Sequence, residues 1–306
     1  MSTDPRQIIL LTGKNGQIGW ELERTLQPLG EVIALDRKGM DLASADSIRA
    51  AIREIRPDLI VNAAAYTAVD QAESEPHLAM AVNGVAPGII AEEAKRLGAA
   101  IVHYSTDYVF DGTKSGPYIE DDLTNPLSVY GRTKLAGEQA IQAVGLPHLI
   151  FRTSWVYGAR GKNFLLTMLK LAKERDSLRI VADQMGAPTW SRMIAEATAL
   201  VLTRALQSIE RQDKGLTTGI FHLTAGGSTS WYNFAQEIFC IASRQQFCDK
   251  PRLDAISTDE YPTPAVRPKN STLDNQKLFD RFGMRIPDWN DSIALCLDEI
   301  SCAAGI

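Results

Sequence analysis

Residues 7–22 read QIILLTGKNGQIGWEL: a short apolar run, a turn with glycines at 13, 16 and 19, then apolar residues at helical spacing. Strand, glycine turn and helix in that order decide the fold. Gly13 permits a tight turn, Gly16 lets backbone approach a pyrophosphate, and Gly19 allows the helix to lie close on the strand. The amides at the helix N-terminus then face the phosphates. Asn15, Gln17 and Ile18, within the turn, are assigned to the same dinucleotide site.

The pattern continues outward. EVIALD (31–36) reads as a second strand ending in Asp36, and Ser44 as the N-cap of a helix that stops before Pro57. LIVNAAA, AAIVHYST and HLIFRTS are further strand-like runs. Between them lie EPHLAMAVNGVAPGIIAEEAKRLG, helical with an internal Pro87, and the helix LSVYGRTKLAGEQAIQAV. Continuous apolar strands separated by helices predict a doubly wound, parallel α/β sheet covered on both faces, with its ligand beyond the carboxyl ends of the strands. Residues 1–155 form mainly the dinucleotide domain. Residues 156–306 alternate less regularly and form mainly a smaller, interleaved substrate lobe, some segments of which return to the main domain.

Asp36 stands where an acid accepts hydrogen bonds from the adenosine ribose and disfavours a 2′-phosphate, whereas Arg37 and Lys38 would hold that phosphate. The sequence points both ways on NADH versus NADPH. Asp41 and Leu42 are candidates for the adenine, and Ala63, Ala64, Ala65 and Tyr66 for the backbone passing under the cofactor. Tyr130 and Lys134 are four apart on a helix and share a face. A phenol near pKa 10 is a reluctant acid, and an ammonium beside it favours the phenolate. Thr106, at the end of the HYST strand with Ser105 and Asp107, offers a hydroxyl to the same carbonyl oxygen. Hydride, proton donor and orienting hydroxyl together suit ketone reduction.

Composition excludes other classes. The chain has 306 residues, 45% hydrophobic and 23% charged, with net charge −5, which suits a soluble globular protein and disfavours nucleic acid or an anionic membrane as partner. No stretch approaches a membrane-spanning length. Four cysteines without a CxxC fit free thiols in a reducing cytoplasm, and four scattered histidines form no metal-ligand pattern.

The G-x-x-G-x-x-G spacing points to the short-chain dehydrogenase branch. GKNGQIGWEL, NAAAYTAVDQAE, STDYVFDG, YGRTKLAGE, RTSWVYG, DQMGAPT and RPKNSTL, taken in order, resemble the dTDP-4-dehydrorhamnose reductases, extended short-chain reductases. The resemblance implies reduction of the C4 ketone of dTDP-4-dehydro-6-deoxy-L-mannose to dTDP-L-rhamnose by NADPH or NADH. It makes Tyr130 the proton donor, Lys134 its activator and ribose anchor, and Thr106 a positioning hydroxyl. Thr106, Asp107 and Trp155 would contact the sugar nucleotide, Arg267 its diphosphate, and Asn163 less directly the same site. Some members hold Mg²⁺ at a dimer contact through three glutamates. Glu21 and Glu299 match two of these, but Arg192 occupies the third, so the expectation is no Mg²⁺, an Arg192 salt bridge and a monomer or weak homodimer. Two alternatives stay open: a related epimerase or dehydratase, although Tyr108 stands where dehydratases carry glutamate after Thr-Asp, and a non-catalytic subunit like the regulatory β subunit of methionine adenosyltransferase.

Overall fold

The structure is a computed structural model that describes residues 7–210 and 218–304. Strands β1 (Ile8–Thr12), β2 (Glu31–Leu35), β3 (Leu59–Asn62), β4 (Ala100–Thr106) and β5 (His148–Thr153) pair in the order β2-β1-β3-β4-β5, and strand Gly219–His222 adds a sixth member beyond β5. Every pairing in this sheet is parallel. The apolar runs are explained by two cores. Ile9, Leu11, Val61, Val102, Tyr104 and Phe151 face one layer, while Leu10, Ile60, Ile101 and Ile150 face the other. Each such fully buried aliphatic side chain contributes on the order of 1.5–3 kcal/mol.

Helix α1 (Gln17–Thr25) follows β1 directly, and α2 (Ala45–Ile55) starts at Ser44, whose side chain accepts from the Ser47 amide as the sequence predicts. The segment expected as one long helix over 75–98 is instead broken. Helix Pro76–Met80 passes through a π turn, Ala81–Val85, into helix Ala86–Leu97. Pro87 has no N–H to close an ordinary turn onto Asn83, and the wider turn absorbs that loss. The helix carrying Tyr130, Val129–Val144, is capped by Ser128 at its start and by Gly145 in the left-handed region, φ 69°, at its end.

The later segments divide between the two bodies. Helix Ser191–Glu210 packs Ile194, Ala195 and Val201 beside Leu22 of α1, and Leu278 and Phe282 of a late helix join that same core. The remaining lobe is built on a parallel pair, Ser177–Val181 with Arg252–Ile256, around Tyr157, Leu165, Phe234, Phe239 and Cys296. Arg192 bridges α1 and the C-terminal helix: its Nε lies 3.2 Å from Glu21 and its Nη2 2.9 Å from Glu299. Among the described residues no helix is long and apolar enough to cross a membrane.

Candidate active site

A groove of about 620 Å³ runs along the carboxyl ends of the strands. Of the expected dinucleotide residues, Gly13, Asn15, Gly16, Gln17, Ile18, Asp36, Arg37, Asp41, Leu42, Ala63, Ala64, Ala65, Tyr66, Tyr130 and Lys134 line it, joined by Ser105 and Thr153. Gly19 lies just behind the lining. A Cβ there would collide with the carbonyl oxygen of Gly13, so the third glycine closes α1 onto the turn. Gly13 has φ +74°, and a Cβ on it would sit 2.8 Å from Ala64.

These residues fit a dinucleotide. No side chain caps the N-terminus of α1 at Gly16, so its first amides are open to a ligand. Ser105 Oγ and Thr153 Oγ1 are buried and have no hydrogen-bond partner among the described residues, the pattern left when hydroxyls serve a ligand. Asp36 spends Oδ1 on its own turn, accepting from the Lys38 and Gly39 amides at 3.0 and 3.2 Å. Those amides hold its carboxyl below the usual range, with Lys14 and Lys38 adding attraction. Arg37 leans towards Asp41, 3.5 Å away.

At the other end, Thr106 donates to Asp107 Oδ1 at 2.9 Å and accepts from the Tyr108 amide at 3.1 Å. Burial pushes the Tyr130 phenol up to about 12, partly offset by the Thr106 hydroxyl beside it and reinforced by Asp107. Lys134, one turn further along the helix, is anchored to the sheet. Its buried amine donates to the carbonyl of Tyr104 at 2.6 Å and lies 3.3 Å from His103 Nε2. Burial lowers Lys134 to about 8, against the pull of Glu138. The phenol therefore keeps its proton at neutral pH, as a general acid must. Asp107 is also buried, and that burial raises its carboxyl to about 7 against the hydroxyls of Ser271 and Thr106.

The expected substrate residues fare differently. Trp155, with φ 45°, stacks on Trp231 at 3.5 Å between centroids, and a Cβ on Gly186 would collide with its ring. Arg267 is not an uncommitted cation: it grips Asp70 through two bonds of 3.0 and 2.7 Å, with Tyr108 beside it. Asn163 is engaged within the protein. Its Oδ1 caps helix Phe164–Ala172 at the Leu166 amide, and its Nδ2 donates to Gln17 Oε1 and to the Gly158 carbonyl, each at 2.9 Å. It ties the 158–163 loop to the glycine turn.

Sequence reasoning missed Asn83. It lies buried in the π turn, accepts from the Tyr66 amide at 2.8 Å, donates to the Tyr66 carbonyl at 3.0 Å and reaches Thr133 Oγ1 at 3.3 Å. It pins the alanine loop to the Tyr130 helix. Only the interruption of helical spacing around Asn83-Gly84 and Pro87 hinted at it.

The RmlD substrate binding domain family matches residues 7–302. The chain is 50% identical over 297 residues to the dTDP-4-dehydrorhamnose reductase of Burkholderia thailandensis, covering 95% of this chain and 98% of that one. It is 46% identical over 303 residues to the Escherichia coli K12 protein of that name, covering 97% and 99%. Among solved structures, the dTDP-4-dehydrorhamnose reductase from Bacillus anthracis in complex with NADP superposes with TM-score 0.86 at 33% identity, covering 96% of this chain and 99% of the other. The Clostridium acetobutylicum reductase reaches TM-score 0.86 at 38% identity, covering 96% and 100%. With a groove built for a dinucleotide, a tyrosine and threonine at its end, and these matches over nearly its whole length, the chain belongs to the dTDP-4-dehydrorhamnose reductase family of NAD(P)H-dependent oxidoreductases.

Proposed function

We propose that this chain reduces the C4 ketone of dTDP-4-dehydrorhamnose to dTDP-L-rhamnose, with Tyr130 as proton donor. One observation carries the assignment of residues: the glycine turn and the Tyr130–Lys134 face line a single groove, with Thr106 next to the phenol. When bound there, the reduced nicotinamide supplies the hydride to C4. Tyr130 delivers its proton to O4, so ketone, hydride and proton balance to the alcohol. Thr106, its own proton directed to Asp107 and one lone pair taken by the Tyr108 amide, keeps one lone pair to accept from the phenol and steer the phenolic hydrogen. Asp107 and the Trp155–Trp231 stack form the wall against the deoxysugar and nucleotide. Arg267, oriented by Asp70, Thr263 and the Ala265 carbonyl, supplies positive charge for the diphosphate.

The preferred cofactor is NADPH. Lys14 and Lys38 act on Asp36, whose Oδ1 is already taken by its own turn, and Arg37 follows it directly in sequence; the Bacillus anthracis relative holds NADP. No Mg²⁺ is expected between Glu21 and Glu299, since Arg192 supplies the positive charge. A chelator should leave both activity and oligomeric state unchanged. The test of the whole reading is oxidation of NADPH, followed at its near-ultraviolet absorbance, dependent on dTDP-4-dehydrorhamnose and lost in Tyr130→Phe. A sugar-dependent reaction without net NADPH consumption would turn the assignment towards an epimerase or dehydratase.

A further inference from the structure

His103 is the unexplained polar residue of the sheet. It lies in the middle of β4, 1% exposed, between Val102 and Tyr104, on the face it shares with Ile101. An imidazole in such surroundings is costly unless both ring nitrogens are bonded. Both are. Asn62 Nδ2 lies 3.0 Å from Nδ1, and Lys134 Nζ lies 3.3 Å from Nε2. Asn62 is the register partner of His103 on β3, and Thr12 is the partner of Asn62 on β1, donating to its Oδ1 at 2.7 Å. Thr12 Oγ1 in turn accepts from the Ala64 amide at 3.2 Å. A polar rung thus crosses three strands, from the residue before the glycine turn to the amine of Lys134.

Hydrogen counting gives the rung a function. Burial and the neighbouring Lys134 hold His103 well below its usual pKa, so the ring is neutral and carries one N–H. With Asn62 donating to Nδ1, the ring hydrogen is on Nε2, and its partner there must be a lysine lone pair, a free amine. With the Asn62 amide turned by half a rotation, Nδ1–H donates to Oδ1 and Nε2 accepts from an ammonium. The two senses of the rung therefore match the two protonation states of Lys134.

We propose that His103, oriented by Asn62 and Thr12, is a positioning residue that sets the protonation state of Lys134 and aims its amine into the cofactor groove. The proposal rests on the reading of Lys134 as the lysine that serves Tyr130 and the cofactor. The charged and titratable groups around Lys134 are few. Tyr130 and Glu138 lie on its own helix, and Glu138 is held by Arg152 of β5 at 2.7 Å. Asp107 follows β4, and His103 lies within it. His103 is the only one of these with an atom within hydrogen-bonding distance of the amine among the described residues.

The test is the pH dependence of kcat for NADPH oxidation with dTDP-4-dehydrorhamnose. In His103→Leu the ammonium loses its acceptor, so the alkaline limb should move to lower pH by about one unit, a tenfold change in proton affinity. His103→Gln can place its Oε1 near the Nε2 position and should return the limb towards that of the parent. A kcat lowered equally at every pH in His103→Leu, or a glutamine that restores nothing, would overturn the proposal. If the leucine variant does not fold, the unaltered protein decides through the ring nitrogens of His103 in ¹⁵N spectra. The hydrogen should sit on Nδ1 at about pH 6 and on Nε2 at about pH 10, and one unchanging tautomer would overturn the proposal. Lys134→Ala separates the two readings: unchanged turnover and pH profile there would remove the role of Lys134 itself, independently of His103.

Discussion

Glu138 sits one helical turn beyond Lys134, and Glu138→Gln tests how the catalytic helix is held to the sheet. Its carboxylate meets Arg152 of β5 through Nη2 at 2.7 Å and Nε at 3.0 Å, and the two side chains are 1% and 3% exposed. Arg152 also donates to the Glu120 carbonyl at 3.3 Å, and Glu120 Oε1 accepts from the His222 amide at 2.8 Å. The pair therefore joins the Tyr130 helix, β5, the 111–128 loop and the sixth strand. Glutamine keeps the shape and one acceptor but leaves a buried guanidinium without counter-charge. Loss of one partner from such a pair costs about 3–5 kcal/mol. For a chain of this size that is a fall in Tm of ~6–10 °C, at roughly 2 °C per kcal/mol. Calorimetry or denaturant unfolding reads the change directly. Glu138→Leu with Arg152→Met should recover much of it, because the desolvation cost disappears along with the attraction. A loss below about 1 kcal/mol in Glu138→Gln, the range of exposed pairs, would show that the pair does not hold the helix as a buried one must.

Tyr130→Phe should lower kcat by about 10²–10⁴-fold while the Kd for NADPH, read by fluorescence titration, changes little; near-normal kcat would end its assignment as donor. Asp107 has its folded pKa raised above its unfolded value, so the protonated carboxyl favours folding at low pH and that contribution is lost as pH rises through about 7. Each tenfold change in proton affinity is worth about 1.4 kcal/mol, so Asp107→Asn should stabilise the protein by a few kcal/mol at pH 8 and by less near pH 4. Equal effects in denaturant unfolding at both pH values would contradict the burial argument. Gly19→Ala should raise the Kd for NADPH at least tenfold, since its Cβ meets the Gly13 carbonyl and the turn must open; unaltered affinity would show that the turn is not tuned for phosphate.

The sheet could be read from the sequence because its strands face two cores and so appear as unbroken apolar runs. The glycine turn, the Ser44 cap and the Tyr130 helix were equally legible, each written in residues within one turn of one another. What stayed hidden was written across the chain. The sixth strand, Gly219–His222, is short, and only its pairing with β5 puts it in the main sheet. Asn83 looks like an ordinary helical asparagine until the π turn around Pro87 aims it at Tyr66. Asn163 reads only as a weaker candidate for the substrate diphosphate, and its capping of the Leu166 amide and its bond to Gln17, 146 positions away, are not visible locally. Arg267 reads as a free cation because Asp70, its partner, is almost two hundred positions away. His103 carries no local signal: its meaning lies in the register that sets Thr12, Asn62 and His103 side by side.

Ketone reduction at this groove is tested most directly by a single turnover with NADPH deuterated at the transferred position and dTDP-4-dehydrorhamnose. One deuterium should appear at C4 of the rhamnose product, with stoichiometric loss of NADPH, and both should vanish in Tyr130→Phe. Product without deuterium, or sugar conversion with the NADPH intact, would rule out hydride transfer to C4.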